Sequence, residues 1–142
     1  MPDPNMNDFE AYRRDFDAQP LQQLLGITLV ERRPGFGRIC LARTDATPQG
    51  IGGSIHGGVL AAMVDIAMLV AVFSQLRPGQ EPAGTADLNI SYLRPAHGAR
   101  IFAEAVTIKY GRQLAVIEVS ILDEANRLCA KGRTLYAFRA GS

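Results

Sequence analysis

Asp65 is the only charged residue between His56 and Arg77. Burying an ionised carboxylate among apolar neighbours is unfavourable unless something pairs with it. Read structurally, Asp65 caps a neighbouring segment or pairs with an arginine. Read chemically, it is a general base or nucleophile held in a cleft. Nine residues earlier stands His56-Gly57-Gly58. Two glycines at the start of a helix present backbone N–H groups with no Cβ in the way, and the helix dipole adds positive potential there. That combination suits a carbonyl oxygen on its way to an oxyanion, although the triplet also reads as a plain glycine-rich turn. Thr85 is the third candidate: its hydroxyl could orient a water or an attacking group, or it is an ordinary β-branched strand residue. His97 sits in a Pro-Ala-His-Gly turn and reads as surface.

The elements that must position these residues follow from pattern. Val59 to Phe73 (VLAAMVDIAMLVAVF) is apolar at 14 of 15 positions. A membrane-spanning helix needs about 20 such residues, so the run reads as a helix buried in a folded domain and covered all round. It is expected to start near Gly57 and end near Leu76. Within it Gly57 and Asp65 are eight residues apart, about 12 Å of helix rise. That is too far for both to touch one carbonyl group in one chain, so if they cooperate the second must come from another subunit, as two helices antiparallel across a two-fold axis would arrange.

Around this helix, Asp8–Gln19 reads as a polar helix with Phe9, Tyr12 and Phe16 at helical spacing, followed by Pro20. Leu25–Arg33 and Gly37–Arg43 read as a hairpin about Pro34-Gly35, and Thr44–Ile55 as a glycine-rich loop. Arg77–Gly84 (RPGQEPAG) reads as a loop. Thr85–Arg94, Ala99–Tyr110, Gln113–Asp123 and Arg127–Phe138 read as strands. In the first of these, Thr85, Asp87, Asn89 and Ser91 fall on one face and Ala86, Leu88, Ile90 and Tyr92 on the other. Short turns between strands imply an antiparallel sheet. The expectation is one α+β domain over residues 1–142, with residues 1–20 as a polar helical extension and about six strands wrapped around one long central helix.

Composition closes off several classes. The 142 residues carry 15 basic and 14 acidic side chains, a net charge of +1, which leaves no electrostatic footprint for nucleic acid. Cys40 and Cys129 cannot form a disulfide framework and read as buried free thiols in a reducing, cytoplasmic compartment. No Cys/His cluster has the spacing of a metal site. The N-terminus lacks the apolar core of a signal peptide.

The segments GSIHGGVLAAMVDIA, TADLNISYLRPA and KYGRQLAVIEVSI, in that order and spacing, resemble the hotdog-fold acyl-CoA thioesterases of the phenylacetate-pathway (PaaI-type) family. The resemblance spans about Leu25 to Phe138. It implies an antiparallel sheet wrapped on a helix, dimers joined sheet edge to sheet edge, commonly a tetramer, and hydrolysis of acyl- or aryl-acyl-CoA without metal or cofactor. It also implies roles. Asp65 stands for the catalytic carboxylate, Gly57 for the oxyanion-hole glycine with His56 shaping its loop, and Thr85 for the Ser/Thr that assists the carboxylate. Gly58, Tyr92 and the turn Lys109, Tyr110, Gly111, Arg112, Gln113 and Leu114 match substrate-facing positions, with Arg94 and Arg112 as candidates for the coenzyme A phosphates. The departure is at Gly50, where many relatives carry Asn; Gln49 is adjacent and is the expected substitute. Two other readings accompany the thioesterase: a non-catalytic acyl-CoA binder, suggested by the missing Asn, and a hotdog dehydratase or hydratase using the His56/Asp65 pair.

Overall fold

The computed structural model describes residues 8–140; residues 1–7 of the expected N-terminal extension lie outside the described residues. Two short helices precede the sheet. Asp8 caps α1 (Phe9–Asp17), accepting from the N–H groups of Glu10 and Ala11 at 3.0 and 3.3 Å. The predicted helix ends sooner than expected, because Pro20, a residue suited to the first turn, starts a second helix, α2 (Pro20–Leu25). The Leu29 N–H donates to Asp17 Oδ1 at 2.9 Å and ties the end of α1 to the sheet.

The sheet has six antiparallel strands, β1 (Ile27–Arg33), β2 (Phe36–Ala42), β3 (Gln80–Tyr92), β4 (Arg100–Tyr110), β5 (Leu114–Leu122) and β6 (Leu128–Ala140), in the order β1-β2-β4-β5-β6-β3. The long helix α3 (Gly57–Phe73) packs on its inner face. This is the expected hotdog arrangement. The inner rows, Ile39 and Leu41, Ile101 and Ala103, Ile117 and Val119, are fully buried against Met63, Val64, Met68 and Val70 of the helix. Two strand glycines let the helix approach this closely. A Cβ at Gly37 would lie 2.6 Å from a methyl of Val70, and one at Gly132 2.7 Å from a methyl of Val64. Cys40 and Cys129 are buried free thiols, and among the described residues no helix is long and apolar enough to cross a membrane.

Three expectations are corrected. First, α3 ends at Phe73 rather than near Leu76. Ser74 turns its hydroxyl back onto the Ala71 carbonyl at 2.6 Å and accepts the Gly35 N–H at 2.9 Å, so the chain leaves the helix there. Second, the stretch taken as a loop up to Gly84 is already β3 from Gln80 onward. Its Pro82 is tolerated because β3 is an edge strand, and the register shifts between Pro82 and Gly84. Third, α3 is not covered all round by the described residues. Ala61, Ala62, Asp65, Leu69 and Phe73 form a half-buried stripe along the helix.

Candidate active site

The loop entering α3 is held from several directions. An Arg43 guanidinium nitrogen donates to the Gly53 carbonyl at 2.5 Å, the Ile55 N–H to Ala96 at 2.9 Å, and the His56 N–H to Pro48 at 3.0 Å. The Gly50 N–H donates to the Ser54 carbonyl at 2.7 Å, and the Ser54 hydroxyl to the Ile51 carbonyl at 2.7 Å. His56 is the helix cap: its Nδ1 accepts from the Gly58 N–H at 2.9 Å, which places the imidazole proton on Nε2. The Gly58 donor is therefore occupied, whereas the Gly57 N–H has no acceptor among the described residues. The Tyr92 hydroxyl donates to the Gly57 carbonyl at 2.7 Å. Gly50, Ser54, Gly57, Gly58, Tyr92 and Arg94 line one cavity of about 420 Å³ here. Gln49 is exposed and is not among the residues lining it; at Gly50 a Cβ would already stand 3.2 Å from Ser54 Oγ.

Asp65 lies two helical turns further on. The Thr85 hydroxyl donates to Asp65 Oδ1 at 2.7 Å, and no lysine or arginine pairs with this carboxylate among the described residues. Strict alternation would put Thr85 on the face opposite Leu88. A bulge between Thr85 and Asp87 shifts the register, so Thr85 reaches α3 on the same side as Leu88 and Ile90, which pack on the core. Tyr136, directly across the ladder from Thr85 and buried, has its phenol pushed up by burial and further by the Asp65 charge. The Asp65 carboxylate is thus oriented by one donor at one oxygen. It can accept a proton at the other.

The turn from Lys109 to Leu114 gathers elsewhere. The Gly111 N–H closes it on the Leu114 carbonyl at 2.8 Å. Gln80 fixes it by donating to the Gly111 and Arg112 carbonyls at 3.1 and 3.0 Å, and by accepting from the Tyr110 hydroxyl at 2.9 Å. Arg77, Arg112, Gln113 and Arg139 line a cavity of about 480 Å³ at this end. Gln80 and Tyr92 are the two ends of β3, roughly 40 Å of extended chain apart. One chain therefore splits the expected residues into three groups: the helix start with Gly57 and Tyr92, the Asp65–Thr85 pair, and the 109–114 turn. Arg94 belongs to the first group and Arg112 to the third. His97 is exposed.

A cavity that the sequence reading missed lies between α1–α2 and the open stripe of α3. It measures about 320 Å³ and is lined by Phe16, Gln22, Asp65, Leu69 and Phe73 among others. The signal was present in Phe9, Tyr12 and Phe16 at helical spacing, since an apolar face on a polar helix must cover something. Among the described residues no three His, Cys, Asp or Glu side chains cluster as metal ligands would.

Comparison with known proteins fits this geometry. The Thioesterase superfamily matches residues 52–130. Acyl-coenzyme A thioesterase 13 of Homo sapiens is 34% identical over 119 residues, covering 82% of this chain and 83% of that protein. The medium/long-chain acyl-CoA thioesterase YigI of Escherichia coli is 29% identical over 130 residues, 82% of this chain and 84% of its own. The structure of the PaaI protein from the phenylacetic acid degradation operon of E. coli superposes with a TM-score of 0.79 over 94% of each chain, at 23% identity. With its six-stranded antiparallel sheet on one long helix, the chain belongs to the thioesterase superfamily of thioester hydrolases and has their hotdog fold.

Proposed function

We propose that the protein hydrolyses the thioester of acyl- or aryl-acyl-CoA, releasing the free acid and coenzyme A. The observation that carries this reading is the Asp65 carboxylate, oriented by Thr85 on a half-open helix face with no cation paired to it among the described residues. In the proposed step, the thioester carbonyl accepts from the Gly57 N–H of one subunit. Asp65 of the other subunit takes a proton from water as the water oxygen bonds to the carbonyl carbon. The oxyanion then collapses, the C–S bond breaks, and the leaving sulfur takes back the proton. Asp65 supplies the base and Gly57 the oxyanion donor, so the scheme calls on no metal or cofactor. Direct attack by Asp65, with water hydrolysing the resulting anhydride, uses the same two groups.

Two features support a two-subunit site. The midpoint between Gly57 and Asp65 is Ala61, and Ala61 and Ala62 are small, half-exposed residues that let a second helix approach closely. A two-fold axis there exchanges the two ends. The edge of β3 away from β6 has no strand beside it among the described residues, so it is free to pair across the same axis. We take the assembly to be a homodimer at least, and a tetramer of two dimers through the outer sheet face, where Val106 and Ile108 are exposed. The turn 109–114 and Arg94 would then lie along the coenzyme A portion, and the protein would work in the cytoplasm.

A non-catalytic acyl-CoA binder remains the second reading, favoured by Gly50, which offers no side chain to hold the thioester or the water. A thiol-release assay over acyl-CoAs of graded length and aryl groups decides between them. Release of CoA thiol supports the hydrolase, and tight binding with no release supports the binder. Light scattering in parallel should give a dimer or larger; an active monomer would overturn the two-subunit site.

A further inference from the structure

We infer that Tyr92 is a positioning residue for the reaction: its hydroxyl pins the first peptide of α3 so that the Gly57 N–H stays aimed at the thioester carbonyl. The inference rests on the thioesterase reading and extends it by one residue. It starts from a weakness in the helix entry. The helix α3 opens on two glycines, the residue type with the widest choice of φ. The donor that the reaction needs is thus carried by the most pliable turn of the helix. A donor aimed off the developing oxyanion weakens steeply.

Two peptide planes meet at the Gly57 Cα. The plane before it carries the Gly57 N–H, and its oxygen, the His56 carbonyl, accepts the Val59 and Leu60 N–H groups at 2.9 and 3.2 Å. The plane after it is held at both ends. Its Gly58 N–H donates to His56 Nδ1 at 2.9 Å, and its Gly57 carbonyl accepts the Tyr92 hydroxyl at 2.7 Å. A planar peptide held at oxygen and nitrogen cannot turn about its flanking bonds. With both planes fixed, the direction of the Gly57 N–H is fixed too. Of these bonds, the one from Tyr92 is the one that comes from outside residues 56–60. Tyr92 ends β3 opposite Ala130, and the next two N–H groups, of Leu93 and Arg94, donate to the carbonyl of the buried Cys129 at 2.9 and 3.0 Å. The hydroxyl therefore ties a pliable turn to the sheet, as a group on a rigid element can. The approach is close: a Cβ at Gly57 would stand 3.2 Å from Cζ of the Tyr92 ring.

The test uses Tyr92→Phe, which keeps the ring and removes the hydroxyl. It follows CoA-thiol release from the acyl-CoA that the wild type turns over fastest in the graded series, the Tm, and hydrogen exchange at the Gly58 amide. A positioning role gives a fall in kcat of about tenfold, the worth of one hydrogen bond, with KM within about twofold. Gly58 should exchange faster, since its plane has lost one tether. The Tm should hardly move, because Tyr92 is 54% exposed and a hydrogen bond open to water adds little to stability. Tyr92→Ala should fall to the same kcat, the level from which any ring-free variant starts, and it decides the matter should Tyr92→Phe fail to fold. A raised KM with kcat unchanged would make Tyr92 a substrate contact and overturn the inference. A lowered Tm with kcat unchanged would make the bond structural only, and overturns it as well. So does a lowered kcat with Gly58 exchange unchanged, since the loss then does not pass through the helix start. In each of these cases the thioesterase reading stands. If the wild type releases thiol from no acyl-CoA, that reading falls and takes the role of Tyr92 with it, even where Gly58 exchange responds.

Discussion

Two buried or half-buried aspartates, Asp65 in the middle of α3 and Asp123 at the turn between β5 and β6, show how differently one side chain can be used. Asp123 is 4% exposed and engaged at both oxygens. Its carboxylate accepts the N–H groups of Ala125 and Arg127 at 3.0 and 2.9 Å and the Arg127 guanidinium at 2.8 Å. The Arg127 backbone N–H above all, with its guanidinium, holds the Asp123 carboxyl below the usual carboxylate range. Asp65 accepts from one threonine, has no cationic partner among the described residues, and lies beside a cavity. A carboxylate engaged at both oxygens fastens a turn. One with an oxygen left over is available to a water or a substrate.

The comparison breaks most sharply at Asp65 itself. Asp65→Asn keeps the shape and should leave the melting temperature nearly unchanged while kcat falls by about 10²–10⁴, the range for a lost general base. Retention of more than about a tenth of kcat, under 1.4 kcal/mol of barrier, would remove Asp65 from the mechanism. Next comes Gly57→Ala. Losing an oxyanion donor typically lowers kcat about 10²–10³-fold. Here the new Cβ would also stand 3.2 Å from the Tyr92 ring, so crowding must be separated from chemistry. The double variant with Tyr92→Ala does this: kinetics that recover once the ring is gone would assign the loss to crowding.

Thr85→Val sharpens the comparison by removing the one donor to Asp65. We expect a fall in kcat of about tenfold, the worth of one hydrogen bond to a charged group, with KM little changed and with activity restored in Thr85→Ser. Smallest in its effect on turnover is Asp123→Asn, which should leave kcat intact and lower stability at neutral pH. The sign follows from linkage. A carboxyl whose folded pKa is depressed stabilises the fold above its unfolded pKa of ~3.9, and that contribution is lost as pH falls through the folded value. Melting curves taken from neutral to acid pH should therefore converge for wild type and Asp123→Asn at the acid end. Curves that stay parallel would mean that Asp123 is not the titrating fastener.

Much of this molecule is legible in the chain. The run Val59–Phe73 announces the helix because 14 apolar positions admit little else, and its lone Asp65 announces itself by contrast. The strands from Arg100 to Ala140 follow from alternation and short turns. The glycine-rich entry to α3 is visible as a place where backbone donors are accessible. The start of β3 is not, because Pro and Gly mark a loop everywhere except at a sheet edge, and edge position is a property of the whole sheet. The face that Thr85 presents was misread for a related reason: a bulge inserts one residue, and period-two counting cannot detect it.

What the sequence alone determined, then, is the set of groups and their spacing along single elements: one helix, one carboxylate, one pair of glycines and about 12 Å between them. Which groups meet was decided only by the tertiary structure. Thr85 comes to Asp65 across 20 residues of chain, Tyr92 to Gly57 across 35, and the N-terminal helices arrive over the open stripe of α3. Local periodicity is set by backbone geometry and can be read residue by residue. Meetings between distant residues depend on register, bulges and the packing of one element on another, and these are fixed only when all the elements are present together.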